Sequence, residues 1–435
     1  MQEKNTMRLN PLWQELIKAV RQEVVPAVGC TEPVSLALAA AIAAQRLGKP
    51  VEKIAARVSA NLMKNGMGVT VPGTGRTGLL IAAAVGALGG DPDGKLEVLK
   101  KLTAEQVAAG KRMVAEKRVQ IAIAAVPNIL YSEATVSNGA EWVKVTIADQ
   151  HTNVIRIEAN GVVLFEAADQ DASVQAAGYS LGALKASDVF DFAMQAPLAD
   201  IAFIREAAQL NDALATEGMK GDYGLHIGAT LKRQSENGLL SDCLMTRVLM
   251  RTTAASDARM GGAPLPAMTN SGSGNQGIAA TVPVLVVAEY VKADEETLTR
   301  ALMLSHMMAI YIHSKLPKLS ALCAVTTASM GAAAGMVWLL KRDFSCVCMA
   351  ISSMIGDVSG MICDGAANSC SMKVSTAVGA ASKAVMMALE GIRVTGDEGI
   401  VANDIDVSIG NIGDLACKGM VQTDDQILEI MLRKA

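Results

Sequence analysis

Apolar and polar positions along the chain fall into two regimes. Pro11 to Arg21 has the spacing of an amphipathic helix, and a break follows through Val25-Pro26-Ala27-Val28-Gly29-Cys30-Thr31-Glu32-Pro33. Pro33 to Arg46 is Ala-rich and strongly helical, with Thr31 as the expected N-cap and Pro33 in the first turn. Val51 to Ala60 predicts a short strand, residues 61–78 a loop, and Leu79 to Leu88 an apolar helix. After a helical stretch to about Glu116 the period changes. Val119–Ile123, Ser132–Val136, Glu141–Ala148, Asn153–Ala159 and Val162–Glu166 alternate or carry β-branched residues, and Asn-Gly pairs at 138–139 and 160–161 mark turns. An antiparallel sheet is expected there. From Ser187 onward the pattern is mainly helical, interrupted by Gly-rich loops at Met260–Gly277 and Gly356–Ser371. Asp404–Ile409 reads as a strand and Asp424–Leu432 as a last helix.

The expected fold class is therefore α+β: an N-terminal α/β domain with an antiparallel sheet over residues 1–185, then a mainly helical domain over 186–435. The 435 residues exceed the roughly 250–300 at which a single core stops growing, which supports two domains. Hydrophobic residues make up 51% of the chain and aromatics 3%, so the cores must be built on Ala, Gly, Met and Leu, with helices in close contact. The net charge is -4 and no basic run is present, which excludes a nucleic-acid partner. The polar start predicts no secretory leader and a cytoplasmic location. The uncharged run Leu319–Leu340 has the length of a membrane span, but its Ser, Thr, Cys and Gly content favours a buried helix, and no membrane partner is expected.

Eight cysteines are present, six of them after residue 300. In such a compartment disulfides are not expected. Cys363 and Cys370 flank Asp364-Gly365-Ala366-Ala367-Asn368-Ser369, a turn of six residues that can wrap a metal, and Cys323 lies upstream. Three thiols on a chain with four histidines suit a soft metal or an iron-sulfur cluster. A zinc site closed by Cys346, Cys348 or Cys417, or simply buried thiols, remain open alternatives at this point. Thr269-Asn270-Ser271-Gly272-Ser273-Gly274-Asn275-Gln276-Gly277 precedes an apolar segment and has the composition of an anion cradle, a solvated surface turn being the alternative. Arg76, in Gly73-Thr74-Gly75-Arg76-Thr77-Gly78, could hold a carboxylate in bidentate fashion or sit in an exposed connector. Lys64 and Asn65 in the same stretch could face a site. Cys30, just ahead of a helix, is either a thiol whose pKa the helix dipole lowers or a buried small residue. His306 and His313, seven apart on one expected helix, are read as core or surface residues rather than a metal pair.

Taken in order, the Gly29–Pro33 block, the Thr269–Gly277 loop and the Cys363–Cys370 loop resemble the L-cysteine desulfidase family, which is related to the α-chain of iron-sulfur L-serine dehydratases. The likeness covers nearly the whole chain. It implies a 4Fe-4S cluster on Cys323, Cys363 and Cys370, with one iron left open. It makes Cys30 the first candidate for the catalytic acid or base and Lys64 the second. Arg76, Thr269, Asn270, Ser271, Gly272, Ser273 and Asn275 become candidates for binding a small amino-acid substrate. The dehydratase cysteine loop is longer than this one, and the Gly-Cys-Thr-Glu-Pro block marks the desulfidase branch. The implied reaction is β-elimination of L-cysteine to pyruvate, ammonia and hydrogen sulfide. Dehydration of L-serine and a non-catalytic iron-sulfur or zinc-binding protein are the alternatives, and a homodimer stays open as the assembly.

Overall fold

The computed structural model describes residues 10–167 and 179–434. The first helix, Pro11–Glu23, starts where Pro11 occupies the first helical position and the Asn10 side chain accepts from the Leu12 N–H. The second, Thr31–Leu47, begins two residues earlier than expected. Cys30, not Thr31, is its N-cap, on an extended backbone with no side-chain cap, and the left-handed Gly48 (φ 65°) ends it. The Thr31 hydroxyl instead donates to the Gly272 carbonyl at 2.7 Å, tying this helix to a loop 241 residues away.

The sheet has six strands in the order Val119–Ile123, Lys53–Val58, Tyr131–Asn138, Glu141–Ala148, Val154–Ala159, Val162–Glu166. Four of its five pairings are antiparallel, but Lys53–Val58 runs parallel to Val119–Ile123, with Ile54 opposite Val119. The sheet is therefore mixed and not purely antiparallel. The physical reason is the long connection between these two strands, which contains the helices Leu79–Gly89 and Ala104–Ala115 and returns the chain to the same end, as a parallel crossover requires. At the Asn160–Gly161 turn both residues have positive φ (49° and 85°), the conformation this dipeptide favours in a two-residue hairpin. Ile54, Ala56, Val58, Ala134, Val136, Val143, Val145 and Ile147 form the buried face, under the Thr31–Leu47 helix.

Residues 61–78, expected as a loop, are largely ordered into a short helix, Ala60–Gly66, and a small hairpin pairing Thr70–Val71 with Arg76–Thr77. Ser59 starts the helix by accepting from the Leu62 N–H.

The second half is helical. Val325–Lys341, which takes up most of the long uncharged run, is buried on all sides from Val325 to Leu339. Gly331 and Gly335 make this possible: a Cβ at Gly331 would lie 2.3 Å from the Ser305 carbonyl oxygen, and one at Gly335 2.9 Å from that of Ala301, both on the Glu295–His313 helix. Among the described residues no helix is long and apolar enough to cross a membrane. The expected strand at Asp404–Ile409 is a helix, Ile405–Asp414. Asp404 caps it by accepting from the Asp406 and Val407 N–H groups, and its buried residues Ser408, Ile409, Ile412 and Gly413 recur with helical, not alternating, spacing.

Among the described residues two large hydrophobic cores result, one beneath the sheet and one among the helices, and a small third cluster joins Cys30, Val69 and Met260. Both chain ends cross between the halves. The first helix contributes Leu16, Ala19 and Val20 to the helical core, and the last helix, Val421–Lys434, packs on Ala60–Gly66.

Candidate active site

Cys323 and Cys363 sit on two stretches joined by an antiparallel bridge between Leu322 and Ile362. The Cys323 N–H donates to the Met361 carbonyl at 2.9 Å and the Cys363 N–H to the Ala321 carbonyl at 2.7 Å. The chain then reverses through Gly365 (φ 94°), and Cys370 opens the helix Cys370–Leu389. Its sulfur accepts from the Ala367 N–H at 3.5 Å and donates to the Gly365 carbonyl at 3.6 Å. All three cysteines line one cavity, together with Cys30, Glu32, Asn65, Arg259 and the turn at 271–276. Burial first, and then the neighbouring Cys363 and Cys370 sulfurs, push the Cys323 thiol up to about 12, and burial raises Cys370 as well. Among the described residues, no three His, Cys, Asp or Glu side chains close on a point that would hold a single ion.

Cys30 is also in the cavity wall, but its thiol is pushed up to about 12 by burial, with Glu32 and Cys370 adding to the shift and Arg259 opposing it. The lowering expected from the helix N-terminus is thus outweighed, and Cys30 faces the cavity as a protonated thiol. Beside it, Glu32 is raised by burial, though Arg259, Thr31 and Asn65 hold it back. Asn65 Nδ2 donates to Glu32 Oε1 at 3.4 Å, and its Oδ1 meets the Cys363 sulfur at 4.0 Å.

Four expected site residues lie elsewhere, Arg76 and Lys64 among them. Arg76 is exposed on the small hairpin and does not reach the cavity. Lys64 is buried behind the cysteines, where its ammonium donates to the carbonyls of Ser320 (3.4 Å) and Cys363 (3.2 Å) and pairs with Asp424. A lysine held by three acceptors outside the cavity is poorly placed to take a substrate proton. The cation nearest the cysteines in this wall is Arg259, from the Leu244–Met260 helix, which acts on both Cys30 and Cys370. It is 5% exposed, and its Nε has no hydrogen-bond partner. Sequence reading missed it. The available signal was a charged Asp257-Ala258-Arg259 at the end of a helix running straight into a Gly-rich loop.

The expected anion loop splits in two. The Thr269 hydroxyl donates to the Val25 carbonyl at 2.8 Å, and Asn270 Nδ2 donates to the His306 carbonyl at 3.1 Å, so both are tied into the interior away from the cavity. Ser271, Gly272, Ser273, Asn275 and Gln276 line it. Ser271 and Gly272 have positive φ (48° and 81°), and Gly274 opens the 17-residue helix Gly274–Tyr290, whose first N–H groups border the cavity. Gly274 is required here, because a Cβ would lie 2.1 Å from Arg259 Nε. His306 lies 2.9 Å from the Thr281 hydroxyl and 3.2 Å from Asn270 Nδ2, an interior role, while His313 reaches the cavity; the two make no metal pair.

Residues 93–429 match the family described as the serine dehydratase alpha chain. The chain belongs to this family. The stretch that matches the serine dehydratase alpha chain contains the three cavity cysteines, Arg259 and the 271–276 turn, while Cys30, Glu32 and Lys64 precede it. Relatives match over almost the full length. A UPF0597 protein of Chromobacterium violaceum is 69% identical, over 97% of this chain and 98% of its own. One of Actinobacillus pleuropneumoniae serotype 5b is 60% identical over 97% and 98%. The UPF0597 protein YhaM of Salmonella gallinarum is 59% identical over 98% and 99%. These names state no activity.

Proposed function

We propose that this protein is an iron-sulfur-dependent lyase that eliminates the β-substituent of a small amino acid, with L-cysteine as substrate and pyruvate, ammonia and hydrogen sulfide as products. The observation that carries the reading is the meeting of three thiols, a buried acid/base pair and a helix N-terminus in one cavity.

The donor set fits a 4Fe-4S cluster held by Cys323, Cys363 and Cys370. Burial, with the neighbouring sulfurs adding to it, makes the Cys323 and Cys370 thiolates unfavourable alone, and bound iron would supply the missing positive charge. The three sulfurs line one cavity, and a set of thiols with no histidine among them is the donor chemistry that iron-sulfur clusters use. When bound, the cluster would offer a Lewis-acidic iron that draws off the leaving sulfur.

The chain's own residues supply positioning and proton transfer. The Ser271–Gln276 turn, at the positive end of a helix dipole, lines the cavity in which the substrate is held. Glu32, a carboxylate raised toward neutrality by burial, is suited to take the α-proton. Cys30, protonated at neutral pH, is suited to donate to the β-carbon after the carbon–sulfur bond breaks. Arg259 steadies the negative charge that moves between them. Protonation at the β-carbon converts the aminoacrylate to 2-iminopropionate, which is released and hydrolyses to pyruvate and ammonia, and the proton held by Glu32 restores the Cys30 thiol.

L-Serine dehydration is the second reading, favoured by the family's description. Anaerobic reconstitution with iron and sulfide, followed by parallel assays of pyruvate from cysteine and from serine, decides between them. A reconstituted protein that carries a cluster and turns over neither amino acid is a non-catalytic iron-sulfur protein. Cys363→Ser should abolish a stable visible spectrum, and full retention would remove Cys363 from the ligand set.

A further inference from the structure

The cavity has a second polar pole, which the chemistry at the cysteines does not use. The charges acting on Cys30, Cys323 and Cys370 are Arg259, Glu32, Lys373 and the sulfurs themselves. Those acting on His151 and His313 are Lys318 and Glu23. The two sets do not overlap, and the 271–276 turn belongs to the same cavity wall.

At this second pole two imidazoles carry buried nitrogens without partners. His313, the last residue of the Glu295–His313 helix, is 6% exposed, and neither ring nitrogen makes a hydrogen bond. His151 comes from the turn between Glu141–Ala148 and Val154–Ala159 and lies against Gly272, where a Cβ would come within 3.0 Å of its Cε1. Its Nε2 is shut off from solvent without a partner. Glu23 is 8% exposed, and its Oε1 accepts from the Tyr179 hydroxyl at 2.7 Å and from the Lys318 ammonium at 3.4 Å. Buried nitrogens without partners are rare in folded proteins and point to a group that completes them.

We infer that Glu23, His151, His313 and Lys318 form the recognition site for the ammonium and carboxylate of a zwitterionic α-amino acid. This rests on the lyase reading and deepens it by assigning the substrate's head group. Lys318 takes the role sequence reading gave to Arg76, as the cation facing the carboxylate. Glu23 receives the ammonium. Both imidazoles are held neutral by burial and by Lys318, and a neutral imidazole donates with one nitrogen and accepts with the other, matching both halves of a zwitterion. Charge balance supports the choice. The Glu23–Lys318 pair is neutral overall, so a lone anion or cation would leave an uncompensated charge in a largely buried place, whereas a zwitterion adds none. The four head-group residues and the three cysteines line one cavity, so the side chain of an amino acid held here shares that cavity with the cysteines.

The test uses the reconstituted holoenzyme under anaerobic conditions, with Lys318→Ala and Glu23→Gln. Lys318 is 49% exposed, so its replacement should not disturb folding. Each variant should keep its visible cluster spectrum and raise the KM for L-cysteine by about 10–100-fold, the loss of one charge-assisted contact. Cysteamine, which lacks the carboxylate, and 3-mercaptopropionate, which lacks the ammonium, should inhibit the wild type weakly. The Lys318→Ala variant should no longer disfavour cysteamine relative to cysteine. An unchanged KM in both variants, with turnover intact, overturns the head-group site and leaves the lyase reading standing. If the wild type turns over neither amino acid, the lyase reading fails. Thermal shift by L-cysteine, L-serine and L-alanine then decides the site: stabilisation lost in Lys318→Ala supports it, and no stabilisation overturns it.

Discussion

Lys64 and Asp424 form an ion pair 360 residues apart in sequence, in which the lysine side chain is 1% and the aspartate 16% exposed. The same ammonium holds the carbonyls of Ser320 and Cys363, on the two strands of chain that carry Cys323 and Cys363. The last helix therefore fixes the backbone around the cysteines through a lysine on the opposite half of the fold. Removing one partner of such a buried pair leaves the other uncompensated, and costs about 3–5 kcal/mol. Lys64→Met is expected to lose stability of that order in urea unfolding, and to retain less iron and sulfide after reconstitution. Asp424→Asn, which keeps an acceptor oxygen, should lose less. A Lys64→Met variant with normal stability and a full cluster would show that the clamp does not matter.

The buried thiols predict the direction of stability with pH. Cys30 and Cys323 are each raised from 9.0 to about 12 by burial. Below about pH 9 both are protonated in the folded and unfolded chain alike. Between about pH 9 and pH 12 the unfolded chain loses these protons while the folded one keeps them, so stability falls by about 1.4 kcal/mol per pH unit for each thiol. In cluster-free protein, Cys30→Ala should remove one thiol's share of that slope relative to the wild type. Urea unfolding at several pH values across this window reads the difference. Equal slopes would mean that the Cys30 thiol does not titrate as a buried group.

What could be read in the sequence was whatever depends on local spacing. The five strands from Val119 to Glu166, the capped turn at Asn160–Gly161 and the cysteine loop all follow from neighbouring residues. The buried run around Val325–Leu339 was likewise correctly separated from a membrane span, because its glycines and hydroxyls mark helix contacts. Lys53–Val58 pairing in parallel with Val119–Ile123 was not legible, since it depends on a crossover that no short window contains. Asp404–Ile409 failed for another reason: its β-branched residues mimic a strand, and the Asp404 cap decides for helix. At the site, Arg76 and Lys64 stand out in the sequence only as cations in a Gly-containing stretch. Arg259, Lys318 and His313 reach the cavity only through tertiary packing, so their spacing in the chain carries no signal.

Close approach of helices predicts where the helical core tolerates no added volume. A Cβ at Gly331 would lie 2.3 Å from the Ser305 carbonyl oxygen and 2.9 Å from the Ala309 Cβ. Overpacking of this kind costs about 1–3 kcal/mol. Gly331→Ala should lower the midpoint of urea unfolding accordingly. It should leave the KM of the folded fraction unchanged, because the residues it would press on, Ser305 and Ala309, do not line the cavity. A variant as stable as the wild type would mean that the helices can part at no cost.

Gly274 offers the sharpest test of Arg259. Its missing side chain leaves the space in which the guanidinium lies, and a methyl group 2.1 Å from Nε must displace it. The flanking backbone need not move, since Gly274 sits in the first turn of the Gly274–Tyr290 helix with ordinary negative φ. Ala is also the better helix former, by about 1 kcal/mol. Gly274→Ala should therefore fold, yet lose activity by about 10-fold or more as Arg259 moves away from Cys30 and Glu32. Because Arg259 lowers the Cys30 pKa, moving it raises that pKa further. Alkylation of Cys30 at fixed alkaline pH should then be slower in Gly274→Ala than in the wild type. Faster alkylation would indicate that Arg259 is not the charge that governs Cys30.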